Sequence, residues 1–250
     1  MNEFPNQRYN QQQRGEHAWQ PTGGDGWGGL QAPTAAEVSV GERMSFVRKV
    51  YALFFAATMF AVGGVALGLS VESLMFAVAE HYWISFFLLI GGVMGAQAVR
   101  HVPGLNLAAL FGFTTLTGVI ISPAIFIYSR TNPASLWQAG LLTVGIFGGL
   151  TAYVFVSKKD FSFMRGMLTT GLIVLFLAVV LNLFLVGSSA LSFGIAAAAL
   201  LLFSGFVLYD TSNIIRRYPT NEYVAGALDL YLDAFNIFMA LLRLLNAGRR

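Results

Sequence analysis

From Val50 onward, uncharged apolar blocks alternate with short polar connections. The blocks are Val50–Val71, Tyr82–Val99, Val102–Ser129, Thr131–Ser157 and Gly166–Tyr209. About 20 apolar residues cross a bilayer as a helix. The last block is long enough for two helices, and Gly187-Ser188-Ser189 supplies the turn between them. Tyr223–Leu245 is apolar except for Asp229, Asp233 and Arg243. The pattern predicts an all-α, polytopic membrane protein with seven spans, at about 48–70, 82–100, 105–128, 135–157, 163–186, 190–214 and 223–246. Helices of a soluble bundle would show polar faces, and these do not.

Ahead of the spans the pattern changes. Residues 1–42 are rich in Gln, Gly, Asn and Pro and contain no apolar h-region. Such a segment buries too little apolar surface to fold alone. It is expected to be a disordered polar tail before a transmembrane domain at 43–250. The absence of a cleavable signal suits a bacterial inner membrane, with an organellar membrane as the alternative.

Composition agrees: 56% of the residues are hydrophobic, 11% are charged and the mean hydropathy is +0.65. There is no cysteine, which excludes disulfides and thiolate metal sites. Basic residues cluster beside the even-numbered connections: Arg100, then Lys158, Lys159 and Arg165, then Arg216 and Arg217. They join Arg43, Arg48 and Lys49 on one side. Across the membrane lie Arg130, Glu72 and Glu80. This bias places the N-terminus in the cytoplasm. Seven spans then place the C-terminus outside, although Arg243, Arg249 and Arg250 make it basic. The basic residues form no nucleic-acid-binding stripe, so no nucleic-acid partner is expected.

The chemistry sits in carboxylates. Asp210 closes the sixth span, and Asp229 and Asp233 lie in the seventh. Carboxylates in membrane helices are costly and mark ion or proton paths. Asp229 and Asp233 are four apart and share a helix face. The short connection Arg216–Glu222 makes spans six and seven antiparallel neighbours, so all three carboxylates reach similar depth. Two carboxylates in low dielectric share a proton and titrate as a pair. When both are ionised they suit a hard cation such as Ca²⁺. Asp210 and Asp233 are thus candidate Ca²⁺ ligands. Asn213 and Asn236 are supporting polar residues, and Asn182 and Asn236 are expected to bond between helices. Glycines in spans one, two and four are expected at close helix contacts, and Pro123 is expected to kink span three and free a carbonyl.

Several motifs resemble a known family. They are Phe46-Val47-Arg48-Lys49-Val50-Tyr51, Ser157-Lys158-Lys159-Asp160-Phe161-Ser162, Tyr209-Asp210-Thr211, and Ala227–Asn236 followed by Leu241-Leu242-Arg243-Leu244-Leu245. Together they resemble the Bax inhibitor-1 family, also called transmembrane Bax inhibitor motif proteins, over about residues 45–247. The resemblance implies a seven-helix bundle with the last helix central. It also implies a pH-sensitive calcium leak gated by an Asp pair, at positions matching Asp210 and Asp233, with Asp229 secondary. The family's charged latch near the second helix has no match, since Tyr82–Val99 carries no charge and Arg100 is only a loose positional candidate. Some bacterial relatives are associated with a membrane protease. A regulatory protein that modulates such a protease, or a stress response, without transport is the alternative reading.

An enzyme is not expected. Aspartyl intramembrane proteases also carry Tyr-Asp on one helix, but Gly226-Ala227-Leu228-Asp229 fails their Gly-x-Gly-Asp on the next. A retinal protein needs a lysine in its last helix, and the last lysine here is Lys159. No cofactor is expected, only Ca²⁺ and protons as cargo and the bilayer as surroundings.

Overall fold

The computed structural model describes residues 32–182 and 187–247. The tail expectation for residues 1–31, and Arg249 and Arg250, lie outside them. The described chain forms helices α1 (Val40–Ser70), α2 (Glu72–Glu80), α3 (Tyr82–Ala98), α4 (Leu105–Thr131), α5 (Pro133–Ser157), α6 (Arg165–Leu181), α7 (Ser189–Arg216) and α8 (Tyr223–Ala247). A short 3₁₀ turn, Ser162–Met164, precedes α6.

Six helices, or helical stretches joined to that turn, are long and apolar enough to cross a membrane. A seventh span requires α2 and α3 together, which bend by 92° at His81. Alone, α3 has 17 residues, about 25 Å at 1.5 Å per residue, short of a 30 Å hydrocarbon core. The expected count of seven is therefore approximate.

The folded region starts earlier than the sequence pattern implies. Ser39 caps α1, accepting from the Glu42 backbone N–H while the Glu42 carboxylate accepts from Ser39. This reciprocal cap satisfies two donors that a helix start leaves free. Residues 33–35 pair with the α7–α8 connection: Ala35 N–H donates to Tyr218 O at 2.9 Å, and Thr220 N–H to Pro33 O at 3.1 Å. Residues 32–42, assigned to the tail on composition, thus belong to the bundle.

Helix α8 is central. In its most apolar stretch 61% of the residues are buried, against at most 39% in the other spanning helices. It packs against α7, α1, α5 and α4. It also runs the whole length of the bundle. Asn246, near its end, accepts a 3.0 Å hydrogen bond from Asn132 Nδ2 in the α4–α5 turn. Its start lies beside Arg216, which donates to Lys158 O, and Arg217, which pairs with Asp160 at 2.7 Å.

The tightest helix contact is between α1 and α4. A Cβ on Gly64 would stand 2.1 Å from Thr115 O, and one on Gly118 would stand 2.0 Å from Ala61 O. Only hydrogen fits there, as expected where backbones approach closely in lipid. Gly68 and Gly92 are similarly crowded, by the side chains of Ser122 and Phe113. Gly63, Gly91 and Gly95, and the α5 glycines Gly140, Gly145, Gly148 and Gly149, face open space instead. For these the packing expectation fails within the described chain. Pro123 lies inside α4 and cannot bond the Val119 carbonyl four residues back. Ser122 Oγ donates to that carbonyl at 2.8 Å, and α4 continues to Thr131.

Candidate functional site

The α7–α8 hairpin brings Asp210, Asp229 and Asp233 together within electrostatic range of one another. Asp233 is only 3% exposed. No N–H or O–H among the described residues reaches its Oδ2. What faces the Asp233 carboxyl is the carboxyl of Asp210, within hydrogen-bonding reach. Two carboxylates have no donor between them. The contact becomes a hydrogen bond only with a proton on one of them, and is repulsive without it.

Asp229 has a different environment. Tyr218, in the α7–α8 connection, donates its hydroxyl to Asp229 Oδ2, and Gln97 Nε2 of α3 donates to Oδ1 at 3.5 Å. Burial and the neighbouring Asp229 charge hold the Tyr218 hydroxyl protonated far above the ordinary tyrosine range. Tyr218 is therefore a fixed donor, and Asp229, unlike Asp233, has a hydrogen-bond donor on each carboxyl oxygen.

The supporting residues divide. Asn213, one turn beyond Asp210, is buried with Oδ1 unpartnered. Its carbonyl accepts from the N–H groups of Arg217 and Tyr218, closing α7. Asn236 donates to Leu232 O of its own helix at 2.7 Å, and not to a neighbouring helix as expected. Asn182 does bond between helices, donating to Ser192 Oγ at 2.7 Å. Arg100 makes no ion pair among the described residues; its Nε donates to His101 Nε2 at 2.9 Å, while its charge still acts on Asp229. His101 Nδ1 in turn lies 3.5 Å from Glu222 Oε1.

Gln97, Tyr218, His101 and Glu222 escaped the sequence reading. Gln97 is a polar residue near the end of an otherwise apolar run, and that was the available signal. Tyr218 stands in the short Arg216–Glu222 connection, outside the apolar runs, where no hydropathy signal points to it. No group of three or more His, Cys, Asp or Glu side chains among the described residues is arranged to hold a metal ion. A Ca²⁺ ion takes six to eight oxygens, so the two candidate ligands Asp210 and Asp233 do not make a closed binding site by themselves.

A buried apolar layer follows the carboxylates along α8: Ile237, Ala240 and Leu241. Beyond it, a cavity of about 480 Å³ lies near the far end of α8, lined in part by Leu89, Ile120 and Arg243.

Comparison with known proteins agrees with this architecture. The family described as "Inhibitor of apoptosis-promoting Bax1" matches residues 43–250. Protein lifeguard 4 of Mus musculus is 35% identical over 215 residues, covering 85% of this chain and 89% of its own. Bax inhibitor 1 of Schizosaccharomyces pombe is 32% identical over 219 residues, covering 84% and 79%. An uncharacterized membrane protein of Vibrio cholerae is 42% identical over 137 residues, covering 54% and 60%. A match over nearly all of the helical region, together with its apolar helices, makes this chain a multi-pass membrane protein of the Bax inhibitor family.

Proposed function

We propose that the protein is a pH-sensitive leak path for calcium, gated by Asp210 and Asp233. The observation that carries this is the buried Asp233 carboxyl, whose Oδ2 no donor among the described residues reaches and whose facing group is another carboxyl. A shared proton clasps α7 to α8. Loss of that proton leaves two like charges in a poorly solvated place, which favours separation of the helices or entry of a cation. Asp229, held by Tyr218 and Gln97, adds a third carboxylate on the same route. Below the pair, Arg100, His101 and Glu222 set the charge at the adjoining end of the bundle. Above it, the buried apolar Ile237, Ala240 and Leu241 support the reading that the route is closed in this conformation. The basic bias around Lys158 and Arg216 supports a cytoplasmic location for the carboxylate end. No catalytic step or cofactor enters this reading.

The test is calcium entry into liposomes holding the purified protein. Entry above that of empty liposomes, reduced or altered strongly in Asp233→Ala, is expected. Liposomes no leakier than empty ones across pH 5–8 would sink the proposal.

A second reading is a regulator that docks other membrane proteins, such as a membrane protease, without transport. The α5 glycines support it, because Gly140, Gly145, Gly148 and Gly149 have open space where a Cβ would stand. Gly145→Leu with Gly149→Leu tests it by co-purification from native membranes. Loss of a bound membrane protein while calcium entry persists would favour docking.

A further inference from the structure

The cavity at the far end of α8 has an unbalanced hydrogen-bond inventory. It opens between α2, α3, α4, α6, α7 and α8. Two of its acceptors are already engaged: Asn182 Oδ1 accepts from Ser188 N–H at 3.0 Å, and Ser192 Oγ accepts from Asn182 Nδ2 at 2.7 Å. Its donors are not. Arg243 projects into the space and stays exposed although helices surround it. It has no hydrogen bond or ion pair among the described residues. Ser85, only 7% exposed, lines the same cavity, and its hydroxyl has no partner there either. No Asp or Glu among the described residues lines the cavity. A guanidinium offers five N–H donors and no acceptor, so the complement it lacks is an anion.

Position narrows the chemistry. Arg243 lies four residues before the end of α8, about one turn in, the level at which lipid headgroups meet a bundle. Inward from it the walls are apolar, with Phe86, Leu89, Ile120 and Ile195. The volume, about 480 Å³, falls within the range of ligand pockets, roughly 300–1,000 Å³.

We propose that this cavity binds an anionic amphiphile, its phosphate or carboxylate head on Arg243 and Ser85 and its aliphatic chain along the α3–α4 wall. The site is independent of the leak reading, since it uses none of the three aspartates. A long-chain fatty acid and an anionic phospholipid share this chemistry.

The test is equilibrium binding to the full-length protein in an uncharged detergent. The probes are radiolabelled oleate and phosphatidylglycerol, with phosphatidylcholine as the neutral comparison. At least one anionic probe should bind about tenfold more tightly than phosphatidylcholine, and which one does so identifies the source. Arg243→Gln should remove that tenfold preference, and Arg243→Lys should keep most of it. Ala79→Trp, at an exposed position on the cavity wall, should weaken binding of the same probe while keeping the charge, and it decides the matter should Arg243→Gln not fold. Equal binding of neutral and anionic probes, or an unchanged preference in Arg243→Gln, would overturn the proposal. So would wild-type binding by Ala79→Trp, or full displacement of the bound probe by inorganic phosphate at equal concentration.

Discussion

Asn132 and Asn246, 114 residues apart, join the α4–α5 turn to the last turn of α8 through a 3.0 Å hydrogen bond. The other end of α8 sits beside Lys158 and Arg216. The last helix therefore traverses the bundle and does not turn back inside it. Cysteines introduced singly at 130 and 246 should label from one side of the membrane, and one at 158 from the other. The chain has no cysteine of its own, which makes the labelling clean. Labelling of 130 and 158 from the same side would contradict the architecture.

Gly118→Val should be among the most damaging single changes. Its first added carbon meets the Ala61 carbonyl, which belongs to helix backbone and cannot swing aside. Overpacking of a fixed site costs about 1–3 kcal/mol or more. Gly91→Ala, where a Cβ meets open space, should change stability little. Thermal unfolding in detergent compares the two.

These glycines also show what sequence alone conveys. The spans were legible because bilayer thickness imposes an apolar length that local composition reports directly. The three carboxylates were legible for the reverse reason, as costly groups in apolar runs. Which glycines pack was not legible: Gly63 and Gly64 are adjacent, yet only Gly64 points at a neighbouring helix. The start of the bundle at residues 33–39 was missed because it rests on backbone hydrogen bonds, on Arg43 donating to the Ala35 and Ala36 carbonyls and on buried Ala35, not on apolar periodicity; the Ser39–Glu42 cap was the local signal available. Tyr218 and Gln97 were hidden because their partner, Asp229, is reached only through the fold.

Tyr218→Phe should isolate that missed contact. It keeps the ring and removes the donor to Asp229 Oδ2. Leaving a buried charged acceptor short of a donor costs about 1–3 kcal/mol. A lower unfolding temperature is expected, with a smaller loss for Gln97→Leu, whose bond is long at 3.5 Å. Equal stability of Tyr218→Phe and wild type would show that water replaces the hydroxyl.

The Asp160–Arg217 pair carries a pH prediction of known sign. The Ser162 backbone N–H, with Arg217 nearby, holds the Asp160 carboxyl below the ordinary carboxylate range. A folded-state value below the unfolded one stabilises at pH above the unfolded value, near 3.9, and is lost as pH falls further. Both side chains are roughly half exposed, so screening limits the pair to less than about 1 kcal/mol. Arg217→Gln should lower the unfolding temperature slightly at pH 7 and less at pH 3. An equal effect at both values would mean that the arginine acts through packing.

The central claim is that Asp210 and Asp233 share one proton and that its loss opens the path. It is tested most directly by calcium entry into proteoliposomes as a function of pH, for wild type, Asp210→Asn, Asp233→Asn and the double variant. Wild-type entry should rise with pH as the shared proton leaves. Each single variant should lose most of that dependence while remaining folded, and the double variant should add little, because the two residues act as a unit. A wild-type pH profile in either single variant would contradict the clasp and leave the carboxylates a structural role.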